Sequence, residues 1–220
     1  MELKPKLVAI IQARMGSTRL PGKILKSIQG MPMLWHIVSR LKSVGEIDEV
    51  VIATSDLSLD DSVYNMAKNY DILCFRGSES DVLKRFFCAA DMVGANHVMR
   101  ITGDCPLVDP PTIKKLVKLY FDGEFDFCGV ACGAGVAKEE NINRFPDGLD
   151  AEIFSYDVLN EAHLEAITDI HREHVTPFIW QNNNRYKLGS LYSESDYSDL
   201  RFTVDNKEDF DFVNWIYDML

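Results

Sequence analysis

The chain has few cysteines and no long apolar run, and both absences exclude classes of protein. Its five cysteines are odd in number and form no C-x-x-C pair. The sequence therefore offers neither a disulfide framework nor a zinc knuckle, and we interpret the cysteines as reduced packing residues. No apolar stretch reaches the roughly 18 residues of a membrane-spanning helix. Residues 1–6 lead directly into an apolar run that predicts a strand, so we expect no signal peptide and a cytoplasmic protein without a membrane partner.

Positive charge is also scarce. The 220 residues contain 23 Lys and Arg against 34 Asp and Glu, a net charge of −11. Nucleic-acid binding takes a basic face that displaces counterions, so nucleic acid is excluded as a general partner. The length and the 46% hydrophobic content suffice for one sizeable core. We predict a single domain over residues 1–220, with a surface excursion near 131–146.

Apolar patterns predict alternating strands and helices in the first half of the chain. The predicted strands are Leu7–Gln12, Glu49–Thr54, Asp71–Phe75 and His97–Thr102. The predicted helices carry Met33–Leu41, Val63–Tyr70, Val82–Ala90 with Ser80 as its cap, and Pro111–Tyr120. This order implies right-handed crossovers and a mostly parallel central sheet in an α/β fold, with ligands at the carboxyl ends of the strands.

The second half is less regular, and its elements are predicted from shorter patterns. Strands are expected at Phe125–Val130, Arg144–Phe154, Leu188–Tyr192 and Arg201–Asp205. Helices are expected after Ser155 as a cap, around Glu173–Val175 before Pro177, and over Phe210–Ile216.

The loop after the first strand combines glycines with cations. Gly16 and Gly22 free the backbone so that its amides can point at an anion. Arg14, Arg19 and Lys23 supply the charge that a triphosphate needs. The glycine spacing and Ile24 after the lysine exclude the usual ATPase loop. Taken alone, such a loop favours a solvated basic turn over a binding site, and the rest of the chain reverses that preference.

Eight stretches in one order resemble the cytidylyltransferases that make CMP-activated sugars, in particular the branch named for a spore coat polysaccharide biosynthesis protein. These stretches are Ile11–Lys23, Ala53–Asp56, Phe75–Ser78, Asp81–Arg85, Arg100–Pro106, Pro146–Asp150, Arg172–Pro177 and Thr203–Asp205. The resemblance implies a three-layer, Rossmann-like nucleotide-diphospho-sugar transferase fold. It also implies transfer of CMP from CTP to a sugar, with magnesium as cofactor.

The resemblance also implies roles for individual residues. The residues expected to bind the nucleotide are Arg14, Gly16, Ser17, Arg19, Lys23, Asp81 and Arg100. Arg14, Lys23 and Asp104 are expected to be catalytic, and Asp104 and Asp205 to bind Mg²⁺, which requires few carboxylates besides phosphate oxygens. Turn or cap roles for the two aspartates, and a structural ion pair for Arg100, remain the alternatives.

Asp150, Glu152 and His174 are expected at the sugar pocket. For Asp150 and Glu152 the alternative is a solvated strand edge. His171 and His174 lie three residues apart, but H-E-x-x-H is absent, so a packed histidine is favoured over a zinc ligand.

The resulting hypothesis is a CTP-dependent nucleotidyltransferase that acts on a sugar, in particular a sugar acid, in surface polysaccharide or glycan synthesis. The alternatives are another nucleoside triphosphate, a sugar-phosphate acceptor, a metal-dependent glycosyltransferase, or a non-catalytic nucleotide sensor. A homodimer is also predicted, because Phe145 and Trp180 are expected to be exposed aromatics.

Overall fold

A computed structural model describes residues 4–133 and 142–219. Residues 134–141, inside the predicted excursion, lie outside the described residues. The strands are β1 Leu7–Gln12, β2 Ser27–Ile28, β3 Met31–Pro32, β4 Glu49–Ser55, β5 Leu73–Gly77, β6 His97–Thr102, β7 Phe127–Val130, β8 Glu152–Ser155 and β9 Leu188–Leu191. The helices are α1 Met33–Lys42, α2 Asp61–Asn69, α3 Val82–Met92, α4 Pro110–Asp122, α5 Tyr156–Glu165, α6 Asp169–His174, α7 Pro177–Gln181 and α8 Lys207–Met219.

The central sheet has seven strands in the order β5-β4-β1-β6-β8-β7-β9. Within the described residues β8 alone runs against its neighbours, so the predicted, mostly parallel sheet is confirmed. From β1 the chain moves to one side to form β4 and β5, and then returns to form β6 on the other side. The loops that follow β1 and β6 therefore diverge and open a crevice, which is where such sheets bind ligands.

Strand β1 is covered on both faces. Leu7, Ala9 and Ile11 pack into a cluster with α1, α2, α4 and α8. Val8 and Ile10 pack with α3, α5 and α7 on the other face. Because a strand alternates its side chains, an unbroken apolar run is what two covered faces require. The three-layer arrangement is confirmed.

Two predicted strands are wrong in extent. Of the predicted strand 144–154 only residues 152–154 are in a strand, β8, which extends to Ser155. Residues 201–205 form no strand and make a single bridge, between Asp147 and Arg201. Gly148 explains why pairing stops after that bridge: its φ is 101°, and a Cβ there would lie 2.5 Å from the backbone nitrogen of Thr203. The two segments approach too closely for a ladder and are held by isolated hydrogen bonds instead.

Helix caps follow side-chain chemistry. Ser80 is not the cap of α3; Asp81 is, and it accepts a hydrogen bond from the backbone nitrogen of Lys84 at 3.0 Å. Either residue type suits this position, so sequence preference could not separate them. The predicted cap Ser155 is confirmed, accepting from the nitrogen of Val158 at 3.1 Å.

The expected helix around Glu173–Val175 ends at His174. Val175 has a φ of 70°, which breaks the helix. Pro177 then begins α7, since a proline at the first turn lacks only an N–H that has no helical partner there.

The aromatics predicted to be exposed are half-buried. Phe145 packs on the cluster beneath α1 and α4, and Trp180 packs on the cluster beneath α3 and α5. That rationale for a dimer is wrong. In the part of the chain that the structure describes, no helix combines the length and apolarity needed to cross a membrane.

Candidate active site

An open cavity of about 310 Å³ lies in the crevice between the loops after β1 and β6. Its lining includes seven residues predicted from the sequence. They are Arg14, Gly16, Ser17, Arg19, Lys23, Asp104 and Asp205. They come from the start, the middle and the end of the chain, and the sheet topology brings them together.

The loop after β1 is held by a buried carboxylate. Asp60, in the turn before α2, is 3% exposed. It accepts a hydrogen bond from the backbone nitrogen of Met15 at 2.7 Å, and another from the hydroxyl of Ser55. Within the loop, the hydroxyl of Ser17 accepts from the nitrogen of Leu20 at 3.2 Å. These bonds shape the loop before any ligand binds. Sequence reasoning missed Asp60, which has no local pattern that links it to the loop.

Lys23 is the buried cation of the cavity, with 8% of its surface exposed. Its Nζ donates to the carbonyl of Val204 at 2.7 Å, and to one oxygen each of Asp104 and Asp205 at 3.1 Å. Gly22, with a φ of 68°, starts the short 3-10 turn that carries Lys23 inward. The lysine therefore joins the two predicted metal carboxylates at one point.

Three cations surround the carboxylate of Asp205. Arg19 contacts Oδ1 at 2.8 Å beside Lys23, and Arg201 donates to Oδ2. Burial tends to raise the pKa of Asp205, but Lys23, Arg19 and Arg201 outweigh it and lower the pKa. Arg201, which sequence reasoning missed, also contacts Asp147 at 3.0 Å and Asp209 at 2.9 Å, so it fixes the segment that bears Asp205.

The pair Asp104 and Asp205 suits a divalent cation. Because both carboxylates contact the same Nζ, one Mg²⁺-sized ion could bind to both. Magnesium commonly takes one or two carboxylates and completes its shell with phosphate oxygens and water. Among the described residues no group of three or more His, Cys, Asp or Glu side chains could hold a metal by itself. The chemistry of this pair therefore fits an ion that arrives with a phosphate ligand.

Arg100 and Glu152 form an ion pair between neighbouring strands. Arg100, on β6, donates to Glu152 on β8 at 2.8 Å and to Gln12 at 3.1 Å, and the hydroxyl of Thr176 donates to both Glu152 oxygens at 3.1 Å. The structural ion pair that the sequence left open for Arg100 is present. Gln12 connects it to the cavity lining.

Asp150 lies before β8 and faces inward. Its carboxylate accepts from the backbone nitrogen of Gly148 at 2.9 Å. Burial, reinforced by the charges of Asp147 and Glu152, raises the pKa of Asp150 to about 6. It is not a solvated strand edge.

Asp81 and His174 lie in cavities that adjoin the first one through Arg14. Both carboxylate oxygens of Asp81 accept from Arg172, at 2.9 and 2.5 Å. Asp81 lines a cavity of about 680 Å³, and the exposed His174 lines one of about 180 Å³. Arg14 reaches all three cavities, with Glu79 3.8 Å away.

Comparison with known proteins shows similarity over nearly the whole chain. Residues 8–217 match the family described as cytidylyltransferase. The spore coat polysaccharide biosynthesis protein SpsF of Bacillus subtilis (strain 168) is 32% identical over 218 residues, covering 96% of this chain and 86% of that protein. The 3-deoxy-manno-octulosonate cytidylyltransferase of Agrobacterium fabrum is 36% identical over 113 residues, covering 50% of this chain and 44% of that enzyme. The structure of a cytidylyltransferase from Leptospira borgpetersenii is 31% identical, with a TM-score of 0.88 over 99% of this chain and 88% of that one.

Proposed function

Because this chain belongs to the cytidylyltransferase family, we propose that it transfers CMP from CTP to a sugar, specifically a sugar acid, and releases pyrophosphate. The observation that carries the proposal is the cluster of Lys23, Asp104, Asp205 and Arg19 beside a preformed loop at a strand end. A basic surface turn would not bury its lysine between two carboxylates. A site for a metal–triphosphate complex needs both signs of charge close together.

In the proposed reaction a sugar hydroxyl oxygen bonds to the α-phosphorus of CTP and gives up its proton to solvent water. The bond from that phosphorus to the oxygen bridging it to the β-phosphate breaks, and pyrophosphate leaves. Arg14, Arg19 and Lys23 neutralise the charge that builds on the leaving group, and the amides around Gly16 and Ser17 orient it. A divalent cation, Mg²⁺ in this proposal, would be held by Asp104 and Asp205 and would neutralise phosphate charge when bound.

The name of one relative supports a sugar acid as acceptor, since 3-deoxy-manno-octulosonate is one. The name of another supports a role in surface polysaccharide synthesis. We assign Asp150, Glu152 and His174 to acceptor binding, and Asp81 and Arg100 to nucleotide binding or its support. Glu152 and Arg100 would act as a pair, because each is already the other's hydrogen-bond partner.

The test is pyrophosphate release by the purified protein with each of CTP, UTP, ATP and GTP, against sugar acids and sugar phosphates. We expect release with CTP and a sugar acid, loss of activity in EDTA, and recovery with Mg²⁺. A preference for another nucleotide would overturn CTP as the donor, and a preference for a sugar phosphate would overturn the sugar acid as the acceptor. No release with any combination, together with hydrolysis of a nucleotide sugar, would identify a glycosyltransferase instead.

We propose that residues 1–220 act as one domain and pair as a homodimer. The site needs residues from Arg14 to Asp205, which supports a single unit. Leu164, Ile167 and Ile170 are large aliphatic side chains near the α5–α6 corner, exposed by 72%, 89% and 61%, and they would be the dimer surface. Light scattering of wild type and Ile167→Glu tests this, and a monomeric wild type would contradict it. The five free thiols support a cytoplasmic enzyme.

A further inference from the structure

Arg85 is a buried cation on the first turns of α3. It is 2% exposed. One terminal nitrogen, Nη1, donates to the carbonyl of Ser78 at 2.6 Å and more weakly to that of Glu79 at 3.5 Å. Its Nε is buried without a hydrogen-bond partner in the described residues.

Among the described residues, carboxylates act on this charge only at a distance. None of the ion pairs in the described part of the chain includes Arg85, whereas Arg76 and Arg172 nearby are paired with aspartates. Asp60, Asp56 and Glu79 act on Arg85 only from a distance. Burial, followed by the charge of Arg14, lowers the pKa of Arg85. Holding the carbonyl of Ser78 requires a donor but no charge, and a buried charge is costly unless it is paired.

Arg85 is one of the residues that line a cavity of about 180 Å³ between the end of β1, the start of α3 and the end of α6. Its lining includes Gln12, Arg14, Val82, Arg85, Glu173 and His174. Two arginines from different elements therefore meet in one small space. Among the described residues of the lining Glu173 is the one carboxylate, and it is exposed. Gln12 and Arg14 also line the cavity that holds Lys23, so a ligand could extend from one cavity to the other.

We propose that Arg85, together with Arg14, binds an oxyanion of a substrate in this cavity, either a phosphate or a carboxylate. The inference rests on the proposed nucleotidyl transfer, which supplies both kinds of group. A guanidinium matches either group because its planar fork donates two parallel hydrogen bonds. Such a partner would neutralise the charge of Arg85. The two sources are the α-phosphate of the nucleotide and the carboxylate of the sugar acid.

The experiment compares Arg85→Met and Arg85→Lys with wild type by calorimetric titration. The probes are CMP, cytidine, and 3-deoxy-manno-octulosonate added to the CMP-bound protein. Arg76→Met is the matched control, because Arg76 also donates to loop carbonyls but pairs with Asp61 and lies outside these cavities. It should bind all three probes as wild type does.

If the oxyanion is the phosphate, Arg85→Met should bind CMP about tenfold or more weakly and cytidine unchanged. If it is the carboxylate, CMP binding should be unchanged and sugar-acid binding should fall by about tenfold or more. CMP affinity within about twofold of wild type, with no loss of sugar-acid binding, would overturn the proposal.

A second measurement separates ligand binding from a structural role. Arg85→Met removes an uncompensated buried charge, so its urea midpoint without ligand should equal or exceed that of wild type. A large fall in the midpoint with unchanged binding would make Arg85 a structural tether. If Arg85→Met does not fold, Arg85→Lys tests the proposal instead, because it keeps the positive charge but lacks the planar guanidinium. Unchanged CMP and sugar-acid binding in Arg85→Lys would overturn the proposal. If the wild-type protein binds CMP but releases no pyrophosphate, the proposed function is wrong. The comparison of CMP with cytidine would still test whether Arg85 binds a phosphate.

Discussion

Changing Lys23 to Met would leave two carboxylates facing each other without the ammonium between them. The nearest oxygens of Asp104 and Asp205 each lie 3.1 Å from Nζ, so they are at most about 6 Å apart. Methionine fills most of the space of the lysine stem, which limits the change to charge and hydrogen bonds. The structure therefore predicts an electrostatic loss of stability rather than a cavity.

The size of that loss follows from the distances. The substitution removes two ion pairs whose charges lie 3.1 Å apart. The repulsion between the two carboxylates, roughly 3 kcal/mol at about 6 Å and an effective dielectric constant of about 20, is then no longer offset. The carbonyl of Val204 loses a hydrogen bond worth about 1 kcal/mol. Two effects reduce this loss of stability. Water reaches Asp104, whose side chain is 30% exposed, and arginines still contact Asp205. We expect the free energy of unfolding to fall by about 2 to 3 kcal/mol.

The assay is urea unfolding followed by circular dichroism, in EDTA and in millimolar Mg²⁺. Lys23→Met should be destabilised in EDTA, and Mg²⁺ should stabilise it more than it stabilises wild type, because no ammonium competes for the carboxylates. Adding Asp205→Asn should restore part of the stability in EDTA by removing one charge. Lys118→Met is the control: this lysine is 76% exposed in a surface pair with Asp122, and its loss should cost at most about 0.5 kcal/mol.

The reasoning would be refuted if Lys23→Met were as stable as Lys118→Met in EDTA. It would also be refuted if Mg²⁺ stabilised Lys23→Met no more than wild type. Either result would mean that the ammonium does not hold the two carboxylates together.

The remaining predictions concern neighbouring parts of the site. Asp205→Ala should lower turnover by about a thousandfold or more with an unchanged circular dichroism spectrum; full turnover would remove it from the site. Arg14→Lys should stay clearly impaired in steady-state turnover, since lysine supplies the charge but not the fork; wild-type turnover would contradict this. The folded-state pKa of Asp150, about 6, lies above its ordinary value of 3.8, so wild-type stability should fall as pH rises from 4 through 6. The free energy of unfolding of Asp150→Asn, measured in urea, should then match that of wild type near pH 4 and exceed it at pH 8 by about 1 to 3 kcal/mol. Equal stability of the variant and wild type at both pH values would contradict the raised pKa. Gly148→Ala should lower the free energy of unfolding by about 2 kcal/mol or more in the same assay, because its Cβ would lie 2.5 Å from the backbone nitrogen of Thr203. A loss below about 0.5 kcal/mol would show that the segments around Gly148 and Thr203 separate easily.

The sequence predicted the first half of the fold well because each element there depends on its own residues. Leu7–Gln12 and His97–Thr102 were predicted with the bounds that the structure shows. In the first strand, burial on two faces demands apolar residues from Leu7 to Ile11. In the second, Val98, Met99 and Ile101 are buried and supply the apolar pattern. The segment 201–205 failed because its shape depends on Asp147 and Gly148, more than 50 residues earlier. No local pattern records a close approach between two distant segments.

The candidate site was predicted in the same uneven way. Lys23, Asp104 and Asp205 follow strand ends or recognisable motifs, and the structure brings them together. Asp60, Arg85 and Arg201 were missed. Asp60 and Arg85 are buried polar residues whose partners come from other elements, and Arg201 binds carboxylates from two segments. Their importance is visible only when the contacts are known.

The bond between Asp60 and the nitrogen of Met15 has a consequence for protein engineering. The loop over residues 13–23 does not hold its shape by its internal hydrogen bonds alone, since a buried carboxylate 45 residues away accepts from the nitrogen of Met15. Grafting this loop onto another strand–loop–helix scaffold would transfer its cations but not their arrangement. A successful graft would have to bring three pieces together: the loop, an aspartate in the turn after the neighbouring strand, and the Ser55 hydroxyl that donates to that aspartate. The smallest portable unit is therefore two adjacent parallel strands with their following loops.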